Sequence, residues 1–273
     1  MVFGGENAES YYDEGLTASM KGDLERAVQH FRHAITLDKS LLVAYHQLGK
    51  CYLRLRETQK AIEFLQHVVA RKPDLVPARL DLGHALLQAG KPEEAREQFD
   101  YIASAHPDNV RAHVGLAQVS FREGRWQQAV EAAIEARAKG GTNFTVLFLL
   151  GRAAKLAGNP VFAEKSLEEA GALIQRTVEL NPDSPEGYYL RGEVCFVQER
   201  FSDALEHYGA AEDRTNVHKS YTAFGESFGR VDILAKRALC LQRLGNIEEA
   251  RELGGKILDL APDHKIGLAL KNL

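Results

Sequence analysis

Any chemistry in this chain would have to come from its histidines, its cysteines or a Gly-Gly-Lys run. His30 and His33 are one helical turn apart, close enough to share a metal ion. His46 and His84 fall at nearby places in a recurring pattern and could approach each other. Neither pair has an evident third ligand, so no metal site and no cofactor are expected. Cys51, Cys195 and Cys240 are odd in number and far apart, and no pair has Cys-x-x-Cys spacing. They are expected to be buried small hydrophobes in a reducing compartment, the cytoplasm. Gly254-Gly255-Lys256 lacks the upstream glycine and the Ser or Thr of a phosphate loop, and there is no His-Glu-x-x-His. Nothing argues for a nucleophilic Cys-His pair. The expected work is recognition, without catalysis.

What positions such a surface is written in seven alanines: Ala27, Ala61, Ala95, Ala129, Ala163, Ala204 and Ala250. The first five are 34 residues apart, and the last two steps are 41 and 46. Gly15, Gly49, Gly83, Ala117, Gly151, Gly192 and Ala238 run ahead of them in the same register. A fixed period of this size marks a repeat protein whose units bury their cores against neighbours. In the unit 42–75, Tyr45, Leu48, Gly49 and Tyr52 share one helical face, and Ala61, Leu65 and Val68 share another. Two helices per unit form an antiparallel hairpin. Gly49 and Ala61 sit at the crossing, where a larger side chain would push the axes apart. Pro73 ends the second helix.

These residues resemble the tetratricopeptide repeat, whose pattern reads here as Tyr45, Leu48-Gly49, Tyr52, Ala61, Leu65, Val68 and Pro73. The next unit gives Leu82-Gly83, Leu86, Ala95, Phe99 and Pro107. The first has Tyr11, Gly15, Ala27, Phe31 and Ala34, with Lys39 in place of Pro. The fourth has Leu116-Ala117, Ala129 and Ala136, with Gly141 in place of Pro. Leu150-Gly151, Tyr188 with Gly192, and Leu234 with Ala238 open the remaining three. The fold expected is all-α, a right-handed α-solenoid or superhelix of antiparallel helix pairs, forming a single domain over 1–273. The repeats are placed at about 8–41, 42–75, 76–109, 110–143, 144–184, 185–218 and 231–264. The seven extra residues of the fifth unit lengthen its second helix by almost two turns, keeping Leu167, Ala170, Leu173, Ile174 and Val178 on one face. The insertion at about 212–230 has no helical stripe. It reads as an exposed loop anchored by Tyr221, Phe224 and Phe228, with room for a short helix. A capping helix is expected at about 263–273.

The resemblance implies that the first helix of each unit lines a concave groove that holds an extended or helical partner segment. The groove positions include Lys50, Arg54, His84, Arg111, Gln118, Phe121, Arg122, Phe148, Arg152 and Lys155. The middle is basic, and the ends carry Asp13, Glu186, Glu193 and Asp232. On a chain of net charge −4, that basic stretch suggests an acidic or carboxylate-ending partner segment, with Phe121 and Phe148 taking an apolar side chain. The alternative reading is that these long cations only solvate an exposed face. The family's clamp for a terminal aspartate is not matched in the first three units, where its positions read Tyr12, Leu16, Gln47, Pro77 and Asp81. The asparagine series of the sugar-transferase members is also missing. Trp126 is expected to pack at a helix start.

Composition narrows the partner. A net charge of −4 carries no global nucleic-acid signature. No apolar run is long enough to cross a membrane, and MVFGGENAES has neither the basic segment nor the apolar core of a signal peptide. The partner that the resemblance implies is a protein or peptide, and composition offers no nucleic-acid or membrane signal against it. Two other readings stay open. One is a homo-oligomeric scaffold, in which a terminus bearing Glu6 and Glu9 reaches a basic groove. The other is a regulatory domain presenting substrate to an enzyme on the same polypeptide.

Overall fold

The computed structural model describes residues 7–140, 143–217, 219–223 and 226–272. The expectations on Glu6, Gly141 and Phe224 fall outside the described residues. Two compact units are present, Met1–Gly141 and Thr142–Leu273. The first holds four helix pairs: α1 (Ala8–Lys21) with α2 (Leu24–Leu37), α3 (Leu42–Arg54) with α4 (Thr58–Arg71), α5 (Val76–Gln88) with α6 (Pro92–Ala105), and α7 (Val110–Arg122) with α8 (Trp126–Gly140). The second holds α9 (Phe144–Leu156) with α10 (Pro160–Leu180), α11 (Pro185–Val197) with α12 (Phe201–Asp213), α13 (Arg230–Leu244) with α14 (Ile247–Leu260), and a final α15 (Lys265–Lys271). Between α12 and α13 lie β1 (Tyr221–Ala223) and β2 (Glu226–Phe228). Among the described residues the fold is all-α apart from this hairpin.

Helix boundaries follow local chemistry. Asn7, Asp23, Asn109, Asn143 and Asn159 each accept a hydrogen bond from an amide of the first turn that has no helical partner. Pro92, Pro160 and Pro185 open their helices, where a missing N–H does no harm. The turn inside each pair passes through the left-handed region at one register position. Glycine stands there five times, and Arg56 and Glu199 take the same conformation at φ 61° and 64°. A Cβ in that region costs roughly 1–2 kcal/mol.

A size rule joins the two helices of each pair. A Cβ added to Gly15, Gly49, Gly83, Gly151 or Gly192 would fall 2.6–2.7 Å from the side chain of Phe31, Leu65, Phe99, Leu167 or Tyr208, respectively. Each of those side chains stands at one register position of the second helix and is fully or almost fully buried. Where the first helix carries Ala117 or Ala238 instead, the matching residue shrinks to Ala133 or Gly254. Bulk is therefore supplied by one helix or the other but not both, as close packing at a crossing demands.

The long α10 buries Ala163, Leu167, Ala170 and Ile174, and a Cβ on Gly187 of α11 would press on Val178 near its end. The 212–230 insertion differs from the loop or short helix expected. Tyr221 pairs with Phe228, Thr222 with Ser227 and Ala223 with Glu226 in an antiparallel hairpin. The period of two puts Tyr221, Ala223 and Phe228 on one buried face, a pattern that helical reading of the segment overlooks.

Candidate functional site

In the first unit the first helices touch in succession: α1 with α3, α3 with α5, and α5 with α7. Their shared face is laced by one polar chain. His46 Nε2 of α3 lies 2.8 Å from Asp81 Oδ2 of α5, within hydrogen-bond reach. Arg111 of α7 approaches the other oxygen, Oδ1, at 3.9 Å. Asp81 is only 18% exposed, and His46 offers it a hydrogen-bond partner and Arg111 a positive charge. Arg111 itself is 62% exposed. Lys50 and Arg122 are also exposed. α3 and α7 thus carry exposed cations on either side of α5, whose Asp81 is already partnered.

The other expected groove residues of this unit are more structural. Arg54 donates to the Ser19 carbonyl at 3.2 Å and ties α3 to the end of α1. His84 is partly buried with its ring edge-on to Phe99 at 5.4 Å. Burial pushes its pKa down to about 4, with Asp81 opposing that shift and Arg111 adding to it. Gln118 is half-buried. Phe121 packs edge-on against Trp126 at 5.1 Å, which fixes the start of α8.

In the second unit the expected site is largely used up internally. Phe148 is 1% exposed and stacks on Phe144 at 5.3 Å. The expectation that it receives a partner's apolar side chain is corrected: α9 is apolar on nearly all sides, so this position faces core. Arg152 lies 5.4 Å over the Phe148 ring. Lys155 donates to the Val197 carbonyl at 2.6 Å and pairs with Glu199 at 2.8 Å. Glu193 of α11 accepts from the Tyr208 hydroxyl and from Lys236 of α13, both at 2.6 Å. Groove positions read one residue at a time do not show the pairings of Lys155 and Glu193, because these join groups from different helices or from the turn after α11. A charge-complementarity check between the sixth position of one repeat and the second position of the next would have suggested Asp81 with Arg111.

The groups that could do chemistry are accounted for in other ways. His30 pairs with Glu14 at 3.0 Å, and His33 lies 4.1 Å from the Tyr11 ring. Among the described residues no cluster of His, Cys, Asp and Glu has the arrangement of a metal site. All three cysteines are free thiols and buried. Burial pushes Cys240 up to about 12 and raises Cys51 and Cys195, so thiolate is scarce at neutral pH. No described helix is long and apolar enough to cross a membrane.

Comparison with known proteins agrees with the geometry. Models of the tetratricopeptide repeat match residues 18–82, 80–143 and 162–216. No curated protein matches the chain. Among solved structures, a tetratricopeptide repeat protein from Parabacteroides merdae ATCC 43184 is similar over 98% of each chain, at TM-score 0.64 and 13% identity. TTC0263, a thermophilic TPR protein in Thermus thermophilus, matches at TM-score 0.59 and 18% identity, over 74% of this chain and 99% of that one. A MamA fragment from Desulfovibrio magneticus RS-1 matches at TM-score 0.57 and 18% identity, over 63% of this chain and 97% of that one. At such identities the likeness is one of fold.

Proposed function

This chain belongs to the tetratricopeptide repeat family, and from that premise we propose that it is a non-catalytic adaptor binding an acidic peptide or helical segment of a partner protein. The face assigned to that segment is formed by α3, α5 and α7, with Lys50, Arg111 and Arg122 contacting it and His84 and Gln118 at its floor. One observation carries the reading. Asp81 of α5 is already paired with His46 and Arg111, and Lys50, Arg111 and Arg122 on the flanking helices are exposed. An incoming carboxylate meets little local repulsion and several charge-assisted donors. The cytoplasm is the compartment proposed, in keeping with three buried free thiols.

The test is an array of extended peptides of acidic, neutral and basic composition, probed with the chain and with a Lys50→Glu/Arg111→Glu variant. Retained peptides should be acidic, and the variant should lose them while keeping its circular dichroism. Equal retention by both proteins, or a preference for basic peptides, would overturn the assignment. Binding should also weaken as salt rises, because the contacts are exposed.

A further inference from the structure

The second unit carries an occupant of its own first-helix face. Tyr189 of α11 stands at the fifth position of its repeat, the register at which His46 reaches from α3 to Asp81 of the next first helix in the first unit. Its ring stacks on Phe228 of β2 at 4.1 Å with the planes 10° apart. β1 contacts α11, β2 contacts α13, and both helices are first helices of their pairs. Phe228 is 3% exposed and Tyr221 is 8% exposed, and both join a core cluster with Ile233 of α13. The flanks are tethered. The Asn216 N–H donates to the Tyr221 hydroxyl oxygen at 3.0 Å, and the Gly229 N–H donates to Asp232 at 2.9 Å. Arg230 and Arg237 both bind Glu212 at the end of α12.

We infer that the β1–β2 hairpin is an intramolecular ligand: the α11/α13 face is a second recognition site, filled in cis, that accepts an extended protein segment bearing aromatic side chains on one strand face. The chemistry is legible in the contact. Tyr221, Ala223 and Phe228 supply a narrow apolar strip, and Thr222 and Ser227 stand on the opposite face of the strands. Recognition of this kind reads alternate side chains of a strand. The hairpin is also a weak element by construction. Two strands of three residues do not hold together alone in water, so their order comes from the helices beneath. The strands are ordered by apolar contacts of Tyr221, Ala223 and Phe228 with α11, α12 and α13, whereas α11 and α13 are themselves held by full helix–helix interfaces. The idea rests on first-helix faces being the recognition surfaces of this chain, and it adds a site separate from the basic face of the first unit.

Native-state hydrogen exchange on the full chain tests it. The amides of Tyr221–Ala223 and Glu226–Phe228 should exchange through a local opening that is insensitive to low urea. They should exchange at least about 100-fold faster than the amides of α11 and α13. Convergence of hairpin and helix amides on one urea-dependent rate would overturn the inference, since the hairpin would then be an inseparable part of the core. Phe228→Ala should speed hairpin exchange about tenfold or more and leave α11 and α13 protected; equal loss of protection in the helices would also overturn it. A labelled peptide of residues 216–230 should then bind the Phe228→Ala chain at least about tenfold more tightly than the unaltered chain. Equal binding to both, or to neither, would count against a displaceable ligand. None of these readouts involves Lys50 or Arg111, so failure here leaves the acidic-peptide assignment standing, and the reverse holds.

Discussion

Replacing Gly83 with alanine should destabilise the chain, and the size of the loss should depend on residue 99. A Cβ on Gly83 would lie 2.6 Å from the nearest ring atom of Phe99. Carbon atoms pack at about 3.5–4.0 Å, so roughly 1 Å of displacement is required. The ring has little room to yield. It is fully buried, and a second backbone presses on it at Gly115 of α7, where a Cβ would lie 2.5 Å away. Overpacking of this kind costs about 1–3 kcal/mol. Alanine regains about 1 kcal/mol of helix propensity, leaving a net loss of about 0–2 kcal/mol. In a Phe99→Ala background, itself lower by about 3–5 kcal/mol, the clash is gone and Gly83→Ala should stabilise by about 1 kcal/mol. Phe99→Leu should give little relief, because the leucines facing Gly49 and Gly151 would lie 2.7 Å and 2.6 Å from an added Cβ. The assay is urea unfolding followed by circular dichroism across the double-mutant cycle, fitted with nearest-neighbour coupling between repeats. A Gly83→Ala effect that is the same within about 0.5 kcal/mol in the unaltered and Phe99→Ala backgrounds would refute the size rule.

His84 makes stability depend on acid. Its folded pKa of about 4 lies below the ordinary 6.5, so the unfolded chain takes up the proton first. The stability held by neutral His84 is complete above pH 6.5 and lost as pH falls toward 4, by about 3 kcal/mol at most. His84→Gln should flatten the unfolding-midpoint profile across that window, and an unchanged slope would contradict the burial argument. Arg56→Gly should raise the urea midpoint, by about 1 kcal/mol at most, by relieving a side chain at φ 61°; a fall would show that the Arg56 side chain contributes more than its backbone strain removes. Asp81→Asn should strengthen binding of an acidic peptide several-fold in calorimetry by releasing Arg111. Weaker binding would mean that Asp81 is needed to hold Arg111 in place.

The sequence by itself determined the helical pairs and their register. Glycine or alanine at the crossings, capping asparagines and prolines at helix starts are local or strictly periodic signals, and each acts within one unit. Even the size rule is visible in sequence once Gly83 is read beside Phe99 and Ala117 beside Ala133. Tertiary structure decided which surface residues are available. Lys155 and Phe148 occupy groove positions in sequence, yet one is tied to Glu199 and the other lies in the core. Asp81 is held between His46 and Arg111, groups from two other repeats. The 212–230 insertion shows the same division most clearly. Its few residues carry too little periodicity to specify a hairpin alone; the pairing register puts Tyr221 and Phe228 on one side, and the apolar residues of α11, α12 and α13 make that side the buried one. Local propensity acts between chain neighbours. The assignment of a charge or a ring to solvent, to a partner or to the core depends on groups that folding brings together from distant repeats.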